Sequence, residues 1–140
     1  MLSVLEIRLD HAGEFYDEWD ELSIGAAEDD SRVTRGLHIG FPAASQEKVD
    51  EFWRVGTEAG YRSDGEPGPR PKYGGDYYGG FLLDPDGNST EAVHYSEGLR
   101  VDGTLDHVWI RVRDVAASKR FYELLAPFGH FELYHDSPDR

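Results

Sequence analysis

The strongest constraint on the fold is a short pattern that occurs twice in the chain. His38 lies in an apolar stretch that ends at Pro42, and His107 lies in a similar stretch that runs to Val112. The residues at matching distances after the two histidines are Ser45 and Asp114, Phe52 and Phe121, Trp53 and Tyr122, and Gly60 and Gly129. The match needs no gap, and it covers a strand, a helix cap, a helix and a helix terminator. Such self-similarity indicates an internal repeat, so we predict two copies of one small module.

The first copy contains a full set of elements. It begins after a polar, acidic stretch, and its apolar residues follow strand and helix periods in turn. Its elements are predicted in this order: a strand at residues 36–41, a helix capped by Ser45 and ended by Gly60, a short strand at 61–64, a loop at 65–75 rich in proline and glycine, and strands at 77–83 and 90–95 joined by a tight turn at 84–88.

The second copy lacks two strands at its C-terminal end. A strand at residues 105–112, a helix from the cap Asp114 to about residue 126 and a strand at 130–135 are predicted there. The N-terminal residues 1–25 read as strands, at 4–9 and 19–24, and would supply what is missing. We therefore predict one domain over residues 1–140, in which residues 36–95 form one βαβββ module and residues 105–140 with 1–25 form the other, in a circularly permuted order. A simpler interpretation makes residues 1–25 an unrelated extension.

Composition limits the possible partners. The formal net charge is −14, which disfavours nucleic acid because contacts with phosphate would be repulsive. There is no cysteine, which excludes disulfides, thiol nucleophiles and cysteine-ligated zinc. The sequence shows neither an apolar run of membrane-spanning length nor a signal peptide, so we predict a soluble cytoplasmic protein with no membrane partner. The acidic charge would also attract a cationic small molecule.

Three sequence features resemble the vicinal oxygen chelate superfamily, which includes glyoxalase I, fosfomycin-resistance proteins, extradiol dioxygenases and bleomycin-resistance proteins. They are Leu-Asp-His-Val at residues 105–108 with Phe121 and Tyr122, Asp-Pro-Asp-Gly-Asn at 84–88 followed by Glu91, and Gly-Pro-Arg-Pro-Lys-Tyr-Gly at 68–74. The resemblance implies an α+β fold in which two βαβββ modules form a curled mixed sheet around a cavity. It also implies a homodimer. The permuted order and the weakly matching residues 1–36 depart from the usual pattern.

The resemblance further implies a metal site. Superfamily enzymes take metal ligands from the first and last strands of their modules, and the matching positions here are His38, His107 and Glu91. Two histidines and a carboxylate suit iron(II), and also manganese, nickel or zinc. Glu21 is expected to be either a fourth ligand or a catalytic base. Alternatively, the histidines are hydrogen-bonded core residues preserved by the repeat, and Glu91 faces solvent on an edge strand.

The expected function follows from the same resemblance. It is a metal-dependent enzyme whose small oxygenated substrate chelates a divalent metal through two neighbouring oxygens, with the reaction type (lyase, dioxygenase or transferase) left open. Arg70, Tyr73 and Tyr78 are the candidate substrate-binding residues. One alternative is a metal-free protein that binds an antibiotic, similar to bleomycin-resistance proteins. Another is an accessory domain whose cavity has closed.

Overall fold

The computed structural model describes residues 2–97 and 103–129 and shows an α+β protein. Residues up to Ile110 form one compact unit, and a second unit begins at Arg111, of which the described part is mainly one helix. The strands and helices are β1 His11–Ala12, β2 Tyr16–Trp19, β3 Leu22–Gly25, β4 His38–Pro42, α1 Gln46–Glu58, β5 Arg62–Pro69, β6 Tyr77–Leu83, β7 Ser89–Tyr95, β8 His107–Trp109 and α2 Val115–Gly129.

The strands form two sheets. Strands β1, β2 and β3 make a small antiparallel sheet. The larger sheet has the order β5-β6-β7-β4-β8 and is mixed, because β4 and β7 run parallel while the other neighbours are antiparallel. Among the described residues these strands do not close into a barrel. The same part of the chain contains no helix long and apolar enough to cross a membrane.

The pairing of β4 with β8 reflects the internal repeat. His38 is paired with Trp109, and Gly40 is paired with His107. In the repeat, His38 is equivalent to His107 and Gly40 is equivalent to Trp109. The two pairs are therefore the same pair with its members exchanged. A local twofold axis therefore relates the two histidine-bearing strands.

Helix α1 covers one face of the larger sheet, and its ends match the sequence prediction. The Ser45 side chain accepts a hydrogen bond from the backbone N–H of Lys48, as an N-cap does. Gly60 follows the helix with a φ of 92°, a left-handed conformation that glycine adopts without steric penalty. Alternate residues of β4, β6 and β7 pack beneath the helix; the buried core comprises Leu5, Phe41, Ala43, Val49, Phe52, Leu82 and Ala92.

Three predictions about local structure in the first unit are wrong. Residues 19–24 were expected to form one strand, but β2 ends at Trp19 and β3 begins at Leu22, with a turn between them in which Asp20 has a φ of 49°. Residues 4–9 were expected to form a strand, but Leu2–Leu5 is a short 3-10 helix, and Glu6 adopts a φ of 64° that interrupts any extended run. Residues 65–75 were expected to be irregular, but β5 continues to Pro69. β5 tolerates its prolines because it is the edge strand of the sheet and carries two register shifts.

The second copy of the repeat is described only in part. β8 is shorter than the predicted strand at residues 105–112. The side chain of Asp114 accepts a hydrogen bond from the N–H of Ala117 at the start of α2, as predicted for a cap, and the helix continues through Pro127 rather than stopping before it. The strand predicted at residues 130–135 lies outside the described residues. The circularly permuted arrangement therefore stays a prediction.

Candidate metal centre

Three neighbouring strands bring two histidines and a glutamate together on the sheet face opposite α1. Glu91 of β7 is paired with Gly40 of β4, and Gly40 is paired with His107 of β8, so the three residues form one row across the sheet. His38 lies two residues before Gly40 and therefore projects from the same face. Gly40 is required at the centre of the row because a Cβ there would overlap the His107 imidazole. The backbone pattern thus directs the side chains of all three candidate ligands to one point.

The candidate ligating atoms of this triad are close to one another. His38 Nε2 lies 3.1 Å from Glu91 Oε2 and 3.1 Å from His107 Nε2, and His107 Nε2 lies 3.6 Å from Glu91 Oε2. Glu91 is 1% exposed and His38 is 8% exposed, whereas His107 is half-buried. A carboxylate removed from water in this way requires a compensating positive charge or hydrogen bonds.

Two hydrogen bonds from behind orient the triad. Tyr77 OH donates to Glu91 Oε1 over 2.7 Å, which leaves Oε2 for another partner. Burial, together with the neighbouring Glu91 carboxylate, raises the pKa of Tyr77, so this hydroxyl remains a donor. His107 Nδ1 donates to Asp106 Oδ1 over 2.7 Å. This bond connects the His107 ring, on the side away from Nε2, to a buried carboxylate.

The donor set fits a divalent metal ion. One nitrogen from each of His38 and His107 and one oxygen of Glu91 all lie within 4.8 Å of one another. Imidazole nitrogens with a carboxylate oxygen are common ligands of zinc and of first-row transition metals. Hydrogen bonds behind a ligating histidine and a ligating carboxylate are also typical of metal sites. The residues present therefore suit the ion that the sequence resemblance implies.

Comparison with solved structures gives a family for this fold. A glyoxalase/bleomycin resistance protein from Albidiferax ferrireducens is similar at 30% sequence identity and a TM-score of 0.58, over 66% of this chain and 81% of that chain. This chain belongs to the glyoxalase/bleomycin resistance protein family. The resemblance to the vicinal oxygen chelate superfamily and the α+β fold class are thereby confirmed.

A second solved structure is more distant. A hypothetical protein from S. aureus is 17% identical over 66% of this chain and 80% of that chain, with a TM-score of 0.49. No protein-family model and no curated protein matches the sequence.

Within this glyoxalase-family fold, the structure brings together the three residues predicted as metal ligands. The alternative position for Glu91, exposed on an edge strand, is wrong, because β7 is an inner strand and Glu91 is buried. Glu21 does not belong to this cluster. It is exposed, and its carboxylate accepts a hydrogen bond from the N–H of Thr104 over 2.8 Å. Its proposed role as a fourth ligand or catalytic base stays a prediction.

The candidate substrate-binding residues occupy different environments. The Arg70 guanidinium lies 5.3 Å from the centre of the Phe81 ring and donates to the carbonyl oxygens of Glu66 and Pro69. The Phe81 ring is in turn 6.1 Å from the His38 ring, so Arg70 is at the edge of the triad's surroundings. Tyr73 is 42% exposed.

The two tyrosines in this set lie on different sides of the sheet. The Tyr73 ring is 5.2 Å from the ring of Tyr77, which bonds the triad. Tyr78 is on the helix-covered face, where its OH donates to Asp50 Oδ1 over 2.8 Å, and partial burial and this bond raise its pKa. Substrate contacts by Arg70, Tyr73 and Tyr78 stay predictions.

Sequence reasoning missed the residues that support the triad. Asp106 was recognised as part of the motif but received no role, and Gly40 and Gly79 received none. Gly79 faces Glu91 so closely that a Cβ would overlap Glu91 Oε1. These residues could have been predicted from the hairpin around the turn at residues 84–88. Its register places Tyr77 and Gly79 on the same sheet face as Glu91.

Proposed function

We propose that this glyoxalase-family protein is a metal-dependent enzyme that binds a divalent ion (iron, manganese, nickel or zinc) through His38, Glu91 and His107. Its partner would be a small oxygenated substrate that reaches the ion through two neighbouring oxygens. The observation that carries the proposal is the convergence of two imidazole nitrogens on a buried carboxylate oxygen.

A hydrogen-bonded core cluster accounts less well for this convergence. A proton on His38 Nε2 points best at one acceptor, yet Glu91 Oε2 and His107 Nε2 lie at the same distance from it. In a hydrogen-bonded cluster, Glu91 Oε2 and the lone pair of His107 Nε2 would therefore compete for the single hydrogen on His38 Nε2. A divalent cation would satisfy all three atoms and neutralise the buried carboxylate.

The chemistry available at such a site is electrophilic. A bound divalent ion would act as a Lewis acid toward substrate oxygens. Tyr77 keeps Glu91 Oε2 directed at the ligand position by holding Oε1. The Trp109 ring lies edge-on, 6.4 Å from the His38 ring, and is 57% exposed, so it would present an aromatic surface to a substrate approaching from that side.

Further parts of the proposal follow from the resemblance and from the sequence analysis. A homodimer and a cytoplasmic location are expected, and the net charge of −14 argues against a nucleic-acid partner. The permuted pairing of residues 105–140 with 1–25 belongs to the same proposal.

Metal titration of matched histidine variants tests the proposed function. Calorimetry with Zn²⁺ and Mn²⁺ is expected to show one ion per wild-type chain. Removing a residue that hydrogen-bonds a metal ligand typically lowers metal affinity by about 10- to 100-fold. Loss of a ligand itself, in His38→Ala or His107→Ala, is therefore expected to lower affinity by more than about 100-fold.

His94→Ala is the matched control. His94 also lies on β7, but its Nδ1 bonds the carbonyl of Ala43 on the opposite face, so its removal is expected to leave affinity unchanged. Equal weak binding by wild type and all three variants would refute the proposal.

The net charge supports a second candidate function. A chain with 28 acidic and 14 basic residues attracts cationic molecules, and the similar protein from A. ferrireducens is described as a glyoxalase/bleomycin resistance protein. A metal-free binding protein would bind a cationic glycopeptide antibiotic equally well as wild type and as His38→Ala. A metal-dependent enzyme would bind Zn²⁺, would lose Zn²⁺ affinity in His38→Ala by more than about 100-fold, and would not bind the antibiotic.

Tyr77→Phe is expected to weaken Zn²⁺ binding by about 10- to 100-fold, because it removes the hydrogen bond that holds Glu91 Oε1. Competition with a fluorescent chelator measures the change. Tyr73→Phe is the control, since the Tyr73 ring lies tilted against Tyr77 at 5.2 Å and its hydroxyl makes no described bond to the triad, so this variant should bind as wild type does. Wild-type affinity in Tyr77→Phe would show that the bond does not position the ligand.

A further inference from the structure

Asp106 is a buried carboxylate directly behind the candidate metal centre. Its side chain is 4% exposed, and Oδ1 accepts hydrogen bonds from His107 Nδ1 over 2.7 Å and from Tyr95 OH over 3.2 Å. The backbone N–H of Asp106 donates to the carbonyl of Gly40, which fixes the residue against β4. Its backbone and its side chain are thus both fixed by hydrogen bonds, and Oδ1 is bonded to the His107 ring.

The other carboxylate oxygen has no such partner. Asp106 Oδ2 is buried and has no hydrogen-bond partner among the residues that the structure describes. An unsatisfied buried carboxylate oxygen opposes folding, and a residue that carries this penalty is often retained for a functional reason. Among the described residues, the hydrogen bond to His107 is the direct contact of the Asp106 side chain with the triad.

The consequence of that bond concerns the position of one proton. A neutral imidazole carries its hydrogen on either Nδ1 or Nε2. With hydrogen on Nε2, His107 would donate toward Glu91 Oε2 or His38 Nε2, 3.6 and 3.1 Å away, and would offer no lone pair there. With hydrogen on Nδ1, the same ring presents a lone pair to the centre of the triad.

We propose that Asp106 is a positioning residue that holds the proton of His107 on Nδ1, with Tyr95 orienting the carboxylate, so that Nε2 is ready to ligate before any ion arrives. The use of that lone pair rests on the proposed metal function, whereas the tautomer itself is a property of the metal-free chain. Asp106 therefore prepares one member of the triad without touching the ion or the substrate.

Nitrogen-15 NMR of the metal-free full-length protein tests the tautomer directly. Two-bond ¹H–¹⁵N spectra distinguish a protonated ring nitrogen from one with a lone pair. Wild-type His107 is expected to show a protonated Nδ1 and an unprotonated Nε2, and Asp106→Asn is expected to shift the proton to Nε2 in a large share of molecules. Tyr95→Phe should give a smaller shift of the same kind, because the carboxylate loses one of its two donors.

His94 is an internal control in the same spectra. Its Nδ1 bonds the carbonyl of Ala43, which can only accept, so it should keep a protonated Nδ1 in every folded variant. The inference is wrong if wild-type His107 carries its proton on Nε2. It is also wrong if the His107 tautomer is unchanged in both Asp106→Asn and Tyr95→Phe while His94 shows that the variants are folded. The wild-type spectrum alone can overturn it should Asp106→Asn fail to fold.

Zn²⁺ titration separates this inference from the proposed function. If both hold, Asp106→Asn loses about 10- to 100-fold in affinity together with the tautomer change. If the tautomer depends on Asp106 but wild type binds no ion, the positioning role stands and the metal function fails. If wild type binds Zn²⁺ through the triad and Asp106→Asn binds it equally well with an unchanged His107 tautomer, the metal function stands and the positioning role fails.

Discussion

Gly40→Ala is expected to lower Zn²⁺ affinity by at least about 100-fold while the protein still folds. The new methyl group would occupy the space of the His107 imidazole, so the ring must rotate away and the triad loses a ligand. The methyl lies against the end of a side chain rather than against backbone, and overpacking of this kind typically costs about 1–3 kcal/mol in folding free energy. Calorimetry with Zn²⁺, alongside urea unfolding, measures both quantities.

A double variant identifies the cause of that loss. If Gly40→Ala acts only by displacing His107, then adding it to His107→Ala should weaken binding no further, which is strong non-additivity. Gly75→Ala is the matched control, because a Cβ at Gly75 meets nothing within 4 Å. Wild-type affinity in Gly40→Ala, or full additivity with His107→Ala, would show that the glycine does not create room for the ligand.

Phe52→Ala is expected to lower the free energy of unfolding by about 3–5 kcal/mol. Phe52 is fully buried where α1 packs on the larger sheet, and the deletion leaves a cavity beneath the helix. Domains of this size are typically stable by about 5–15 kcal/mol, so the variant would lose a large fraction of its stability. Urea unfolding at 25 °C, followed by circular dichroism, measures the change.

The exposed Phe15 provides the comparison for Phe52. Phe15 is 77% exposed, and its replacement by alanine should change stability by no more than about 0.5 kcal/mol. Similar losses in both variants would mean that the helix–sheet core is not the main source of stability in the first unit.

The candidate site could be predicted from the sequence because the family resemblance and the internal repeat indicate the same residues. The repeat makes His38 and His107 equivalent, and equivalent strands related by a twofold axis pair as antiparallel neighbours. The tight turn at residues 84–88 then determines which residues of β7 share a face, and that face includes Glu91. The repeat and the turn agree with this placement, but it was the resemblance to the vicinal oxygen chelate superfamily that identified His38, Glu91 and His107 as candidate ligands.

The N-terminal segment could not be predicted in the same way. Its alternation of apolar and polar residues at 4–9 is typical of a strand, yet Leu5 is buried in the core and Glu6 turns the chain with a positive φ. Tertiary packing of one leucine outweighs the local pattern there. The continuation of β5 to Pro69 depends on its place at the sheet edge, which the sequence of residues 65–69 does not reveal.

The most direct test of the metal centre is an anomalous difference map from crystals of the wild-type protein grown with Zn²⁺ and measured at the zinc edge. The expected result is a peak bonded to Nε2 of His38, Nε2 of His107 and Oε2 of Glu91 at about 2.0–2.2 Å from each. A fully ordered triad with no peak between its three ligating atoms, in crystals whose zinc content is otherwise established, would contradict it.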